Sequence, residues 1–467
     1  MEEDRIRRLE HQPTADSIAD SIRRDIASRN ADIVAFMEML DATDGPYTYF
    51  VDAPWGEGKT FFIRSVELVM RATNVLLECE IEPEDERISA VTNEVDKLET
   101  TFLPLYFNAW ENDDYGDPIG AIFATLAAQL GQEFLTKTPK LDKGITSVVD
   151  LAIEAFSPIK ASVSGIADVM KGTDLIECYR SRSDLRSRIN DMASKANLEV
   201  ADKLVIFIDE LDRCRPDYAV RLLEQTKSMF QSENVVVVLS ADSVQLANAM
   251  AGVYGSEYAS PHFMERFYDR RIGLAKADPY ALATGNPFQE TSYRFDSLVS
   301  ELLNNRVLTA RDIMRLYPKL HEARVYANFN SGNDYAFDTL LTKLVAKCVF
   351  LPILVFMDRE NPALFREVVS GQNYDAVYEY GKGLETFNDT IQEAIGRGRR
   401  PAKEENTPEV TEQDVKQYCH DLCIAIYAPT RNSKASIEAR HRLGIVIQQF
   451  SPVIYRELRF PRSSQQG

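Results

Sequence analysis

The stretch Tyr47-Thr-Tyr-Phe-Val-Asp-Ala-Pro-Trp-Gly-Glu-Gly-Lys-Thr-Phe-Phe-Ile63 decides the fold. Tyr47 to Asp52 is mostly aromatic or β-branched and reads as a strand. Ala53 to Gly58 is a tight loop. Lys59 and Thr60 open an apolar run through Phe61, Phe62, Ile63, Val66 and Val69, which reads as a helix. The pattern is the phosphate-binding G-x-x-x-x-G-K-[ST], with Ala53 in place of its first glycine. A triphosphate is a dense anion. Successive main-chain N–H groups in a glycine turn form a concave nest for it, and the helix N-terminus adds partial positive charge. Gly56 and Gly58 permit the required backbone angles, and Ala53 fits if its φ is negative. The expected cradle is Ala53, Pro54, Trp55, Gly56, Glu57, Gly58, Lys59, Thr60 and Phe61. Lys59 is placed to reach the β- and γ-phosphates and Thr60 to ligate Mg²⁺. A glycine turn without nucleotide is the ordinary alternative; the strand before it and the helix after it argue for the phosphate site.

The whole chain fits an intracellular globular protein. Its 467 residues suffice for two or three domains. With 45% apolar and 27% charged residues it can bury sizeable cores. A net charge of −19 disfavours broad, non-specific attachment to nucleic acid or membrane. The six cysteines are scattered and no apolar leader opens the chain, which suits a reducing cytoplasm. Cys419 and Cys423 flank His420 with no second ligand pair nearby, the pattern of a packed helix face rather than zinc. No uncharged apolar run reaches about 18 residues, so no membrane span is expected. The nearest case, Leu340 to Met357, contains Lys343, Lys347 and Pro352 and reads as a buried or amphipathic helix.

Along the chain, residues 1–40 form a charged helical segment with Ile18, Ile22, Ile26, Ile33, Phe36 and Leu40 at helical spacing, starting near Pro13-Thr14. An α/β core spans 41–276. Within it, Glu78 to Asp117 is acidic and reads largely as a solvated face. Inside that stretch, Leu103 to Trp110 reads as a buried strand. A helix follows from Asp117-Pro118, then a helical insertion near 141–174 and a charged amphipathic helix from Ser183 to Asp202. Lys203 to Asp209 and Val235 to Ser240 are continuous apolar strands, and Arg270 to Leu274 is a shorter one. A helix opened by Pro216 separates the first two. The alternation predicts an α/β fold with an open, mostly parallel sheet. Residues 277–395 read as an α-helical lid, 396–409 as a flexible linker and 410–467 as a C-terminal helical region. The last segment, from Arg431 onward, is basic against the overall charge, a surface for nucleic acid or an acidic partner; a solvated helix is the ordinary reading.

The second chemical motif is Val205-Ile-Phe-Ile-Asp-Glu210. Asp209, at a strand end, is placed to contact Mg²⁺ opposite Thr60. Glu210 is expected to point away from Asp209 by strand alternation and to deprotonate the attacking water. Asn108 is a candidate to sense the γ-phosphate or position that water, with turn stabilisation as its equal alternative. Ser240 and Asp242 lie near the γ-phosphate if their strand neighbours the phosphate loop; helix capping is the alternative for Asp242. Arg266 is the candidate to reach a neighbouring subunit's γ-phosphate, against a plain surface role; Arg270 and Arg271 are weaker candidates. Arg311, near the start of a lid helix, is a candidate phosphate contact in cis, with an ordinary solvent-exposed arginine as the favoured alternative.

Together, Ala-Pro-Trp-Gly-Glu-Gly-Lys-Thr60, Tyr-Phe-Asn-Ala-Trp110 and Ile-Asp-Glu-Leu-Asp-Arg-Cys-Arg-Pro216 resemble the KAP family of P-loop NTPases. That family's patterns are G-x-W-G-x-G-K-[ST], F-N-A-W and I-D-D-L-D-R-C-x-P. The chain departs at Ala53 and Glu210. The similarity runs from about Phe36 to Leu274 and, less specifically, through Arg311. It implies the additional-strand, catalytic-glutamate division of P-loop NTPases, with ATP and Mg²⁺ as ligands and Asp209 and Glu210 in the second-motif roles. Asp212 and Arg213 match family positions without an assigned role. Many members carry paired membrane helices; the corresponding stretch, about Ile145 to Met170, holds Asp150, Glu154, Lys160 and Asp168, so the chain resembles a soluble variant. Family members are often bacterial and linked to phage exclusion or defence.

These readings predict an ATP-hydrolysing switch or assembly factor that works as a homo-oligomer, with a trans arginine contact and a partner protein of unknown identity. The competing expectation is a nucleotide-holding scaffold that acts through its helical C-terminal surface. Phosphoryl transfer to a small substrate ranks last, because nothing beyond the phosphate loop suggests an acceptor pocket.

Overall fold

The computed structural model describes residues 13–25, 28–82, 84–114, 201–255, 261–277, 293–328, 340–398, 409–428 and 433–443, with seven single positions between them (118, 121, 122, 125, 129, 279 and 282). The chain divides into two units, Met1–Ala277 and Asp278–Gly467, each with its own core. The insertion expected near 141–174, the helix expected from Ser183, and most of the helix expected from Asp117 lie outside the described residues.

Five strands form the first unit's sheet: β1 (Tyr47–Asp52), β2 (Phe102–Asn108), β3 (Lys203–Asp209), β4 (Val235–Ala241) and β5 (Arg270–Gly273). All pair in parallel, in the order β2-β3-β4-β1-β5. Every residue of β3 and β4 is buried, as a parallel sheet covered on both faces requires. Leu204, Ile206, Ile208, Val235, Val237 and Leu239 face one core, shared with helices α5 (Pro216–Met229) and α6 (Ser243–Tyr254) through Tyr218, Leu222 and Leu246. Val205, Phe207, Val236 and Val238 face the other, shared with α3 (Lys59–Thr73) through Phe62, Ile63, Val66 and Val69. Asp209 and Ser240 continue the second set by alternation, so both lie on the α3 side of the sheet.

The N-terminal segment belongs to this core. It forms two helices where the spacing suggested one run: α1 (Ala15–Arg24) and α2 (Asn30–Asp41). Thr14 caps α1 in a reciprocal capping box with Ser17. Asp25 and Ser28 then adopt left-handed φ of 45° and 51°, which no helix interior tolerates. Asn30 Nδ2 donates to the Ile22 carbonyl at 2.8 Å and closes the end of α1. Ile18, Ile22, Ile33, Phe36 and Leu40 pack with Tyr49 and Val51 of β1. The acidic stretch is not wholly solvated either. It contains α4 (Ser89–Val95), which buries Val91 and Val95 together with Ile81 and Ile88.

The second unit is helical: α7 (Tyr293–Asn304), α8 (Ala310–Asn328), α9 (Leu340–Val345), α10 (Leu351–Glu360), α11 (Pro362–Val369), α12 (Ala376–Gly381), α13 (Glu385–Gly398), α14 (Glu412–Tyr427) and α15 (Lys434–Leu443). A five-residue π turn, Ala346–Phe350, joins α9 to α10. The whole of Val345 to Met357 is buried in the unit's core. Among the described residues no helix is long and apolar enough to cross a membrane. Cys419 and Cys423 are core residues, their thiols pushed up by burial. α13 runs to Gly398, into the expected linker, because Ile391, Ala394 and Ile395 keep the core stripe going. In α15, Arg440 is buried, and Arg442 grips the buried Asp421 with two hydrogen bonds of 2.7 and 2.6 Å. Part of the basic charge there is therefore used inside the fold.

Gly45 precedes β1 where the chain passes close to the start of β4. A Cβ at this position would lie 2.4 Å from the Val235 carbonyl oxygen and 2.8 Å from that of Glu233. Both are backbone atoms and cannot step aside. Gly45→Ala is expected to destabilise the chain by about 1–3 kcal/mol, read as a lower thermal midpoint. Gly252→Ala, inside α6 with nothing within 4 Å of the added methyl, is expected to leave the midpoint unchanged or raise it.

Candidate functional site

The phosphate loop leaves β1 at the sheet's carboxyl edge and turns through two left-handed glycines, Gly56 (φ 93°) and Gly58 (φ 86°). A side chain at either position would be strained. Ala53 is not among the described non-glycine residues with positive φ, so it takes the first position of the pattern without strain. Gly58 is the N-cap of α3 and supplies no side chain, so the first N–H groups of α3 are left for a ligand. Elsewhere in the chain Thr14, Asp242 and Thr411 cap helices with side-chain oxygens. Lys59 is only 7% exposed. Its ammonium donates to the Ala53 carbonyl at 2.7 Å and lies 3.5 Å from Asp212 Oδ2.

The carboxylates converge from β3. Asp209 is 1% exposed; its Oδ2 accepts from the Tyr106 hydroxyl at 3.1 Å, and its Oδ1 is buried with no hydrogen-bond partner. Burial and the Asp209 charge push the Tyr106 phenol well up, so it stays a donor. Glu210 is placed differently from the sequence expectation. It does not simply alternate along the strand. It leaves β3 in a left-handed conformation (φ 61°), and this turn swings its carboxylate back to accept from Thr60 Oγ1 at 3.0 Å. A non-glycine residue held in this region costs of order 1–3 kcal/mol, and such outliers gather at functional sites. Cys214 Sγ closes the turn on the Glu210 carbonyl at 3.6 Å. Burial raises the pKa of Glu210, as does neighbouring Asp209, while Arg213 and Thr60 oppose the shift.

These groups fit a hydrated divalent cation. A buried carboxylate oxygen without a partner and a threonine hydroxyl at the loop's end are the donors that such an ion takes beside phosphate and water. Among the described residues no cluster of three or more His, Cys, Asp or Glu could hold a metal by itself.

The other predicted residues fall into two groups. Asn108, Asp242, Ser240 and Arg271 sit at or beside the sheet's carboxyl edge. Asn108 pairs with Asp209 in register. Its Oδ1 accepts from the Trp110 and Glu111 amides, and its Nδ2 donates to Glu111, so it braces the turn. Ser240 pairs with Val51, and its buried hydroxyl has no partner. Asp242 caps α6 at the Val244 and Gln245 amides and also accepts from the Trp55 amide at 3.2 Å. Arg271 pairs in cis with Asp52. The second group is not drawn together with these. Arg266 and Arg270 are exposed; Arg266 lies over the Phe263 ring, and its carbonyl accepts from Lys227. Arg311 belongs to the second unit.

The model of the KAP family P-loop domain matches residues 23–286, more than half of the chain. The chain belongs to the KAP family. Membership implies nucleotide binding and NTPase activity, and the matched span holds the whole phosphate loop and both acidic residues. No curated protein matches the chain. The KAP domain accounts for two residues that sequence reasoning left without a role. Asp212 is 4% exposed in its side chain and links Lys59 to the amide of Asp242, which it accepts at 2.9 Å. Arg213 contacts Glu210. Their place in the Ile-Asp-Glu-Leu-Asp-Arg-Cys motif was the available signal, but no spacing rule reveals a contact between segments so distant in sequence. Asp52, fixed by Ser243 through its amide and hydroxyl at 2.8 Å each, was missed because it read only as the end of a strand.

Asp242 does two jobs, capping α6 and tethering Trp55 of the loop. Asp242→Ala is expected to cost about 0.5–2 kcal/mol of stability through the lost cap and also to weaken nucleotide binding, measured by melting and by titration. Thr411→Ala, which removes a cap in the second unit, is expected to lower stability alone.

Proposed function

We propose that this KAP domain binds ATP with Mg²⁺ and hydrolyses it, using the cycle as a switch. One observation carries the reading. The hydroxyl of Thr60, the carboxylate of Glu210 and the unpaired, buried Oδ1 of Asp209 occupy one edge of the sheet, beside an uncapped helix N-terminus. The insertion of β4 between β1 and β3 supports the additional-strand, catalytic-glutamate division. The preference for ATP follows the family.

In this reading the loop amides and Lys59 take the β- and γ-phosphates, exchanging the Ala53 carbonyl and Asp212 for phosphate oxygens. Thr60, released from Glu210, and Asp209 would hold the cation, which would supply stabilisation of the negative charge on the phosphates. Glu210, freed from Thr60, orients and deprotonates the attacking water. Asn108 and Ser240 offer polar groups along the same edge. Arg266, exposed and with no carboxylate partner among the described residues, is available to a neighbouring subunit's γ-phosphate, which makes a homo-oligomer the working form.

Glu210→Gln is expected to retain nucleotide while phosphate release falls by about 10²–10⁴-fold. Unchanged release would remove Glu210 from the chemistry. Bound nucleotide with no release from the unmodified chain in any assembly state would favour the scaffold alternative.

A further inference from the structure

We propose that Arg213 is the positioning residue for the Glu210 carboxylate, and that Trp55 and Trp110 hold Arg213 in place, so that the phosphate loop and the glutamate are mechanically coupled. The proposal rests on the reading of Glu210 as the base. Among the described residues, Glu210 Oε1 accepts from Thr60, and Oε2 forms an ion pair with the Arg213 guanidinium, whose Nε makes no hydrogen bond. Thr60 is required elsewhere once nucleotide and cation bind. Arg213 is then the contact that still restrains the carboxylate.

Arg213 is itself well fixed. It ends the one-turn 3₁₀ helix Leu211–Arg213, and its amide donates to the Glu210 carbonyl at 3.1 Å. Its guanidinium lies 5.2 Å from the Trp55 ring centre and 5.5 Å from that of Trp110, within reach of both as a cation over an aromatic face. Trp55 belongs to the phosphate loop; Trp110 opens the 3₁₀ turn that Asn108 braces after β2. Three separate segments therefore meet at one side chain. An isolated ion pair near the surface is worth about 0–1 kcal/mol and would not fix a carboxylate. Two indoles added to that pair restrict the guanidinium much further. The two rings are 57% and 50% exposed, so burial in a core does not account for their presence. The planar guanidinium stacks on aromatic faces in a way that an ammonium does not.

The chain contains two tryptophans, and both touch Arg213. Tryptophan emission of the full chain, excited selectively over its tyrosines, therefore reports on the two indoles that flank Arg213. Emission, turnover of ATP·Mg²⁺ and affinity for a non-hydrolysable ATP analogue are compared for the unmodified chain, Arg213→Ala, Arg213→Lys, Trp110→Phe, Trp110→Ala and Glu210→Gln. The expected results are a changed emission spectrum and a kcat lower by about 10–100-fold in Arg213→Ala, with affinity within about threefold, since a misplaced group costs rate rather than binding. Arg213→Lys recovers part of kcat. Trp110→Phe stays near the unmodified chain, while Trp110→Ala falls toward Arg213→Ala.

If Glu210→Gln turns over normally, the base reading fails and this inference with it. If Glu210→Gln is inactive while Arg213→Ala keeps kcat within about twofold, the base reading stands and this inference fails alone. Weakened analogue binding at unchanged kcat would make Arg213 a phosphate ligand and also overturn it. Should Arg213→Ala not fold, Arg213→Lys decides: lowered kcat with altered emission and unchanged affinity supports the coupling, and an unmodified kcat refutes it.

Discussion

The site depends on the uncompensated start of α3. Two left-handed glycines bring the chain out of β1 and into the helix without a capping side chain, and the N–H groups left over are addressed to an anion. The strand order then sets the scale. One strand, β4, separates β1 from β3, so the loop and the acidic strand end stand about 10 Å apart. That gap suits a phosphate with a hydrated cation and is too wide for direct contact by short side chains. Thr60 and Glu210 bridge it only because Glu210 turns back through a left-handed conformation.

The groups around the gap contact one another. Lys59 rests on the Ala53 carbonyl and near Asp212, Glu210 rests on Thr60, and Asp209 Oδ1 and Ser240 Oγ are buried without partners. A buried polar group left unpaired costs about 1–3 kcal/mol. Two of them lie on neighbouring strands, on one face, where the proposed ligand would supply their partners. The latches around this edge are, by contrast, complete: Asp52 to Ser243, Asp242 to α6 and to Trp55, and Asp212 to Asp242. They hold α6 and the loop against the sheet.

Much of this edge was legible in the sequence. Parallel strands buried on both faces are continuous apolar runs, so β3 and β4 could be read directly, and the glycine pattern located the loop. The family resemblance read from the three motifs agrees with the matched P-loop domain. The side-chain geometry was less accessible. A left-handed glutamate has no signature in hydrophobic period, because the period reports burial and not the turn after the last strand residue. The break between α1 and α2 escaped for the same reason: Asp25 and Ser28 are ordinary helix-surface residues by pattern, and only their φ angles interrupt the helix. The second unit's helices were visible as a class, but α13 is helical as far as Gly398, inside the segment expected to be a linker, with Ile391 and Ile395 packed in the core. Arg213, Trp55 and Trp110 come from three distant motifs, and their meeting is a property of the folded sheet alone.

The most direct test of the central claim is calorimetric titration of ATP·Mg²⁺ into the full chain and into Lys59→Ala. A triphosphate held by the loop predicts saturable binding by the unmodified chain and a loss of roughly 1.5–3 kcal/mol, about 10- to 150-fold in affinity, when the charged hydrogen bonds of Lys59 are removed. No heat of binding with the unmodified chain, or identical titrations for the two proteins, would contradict the account.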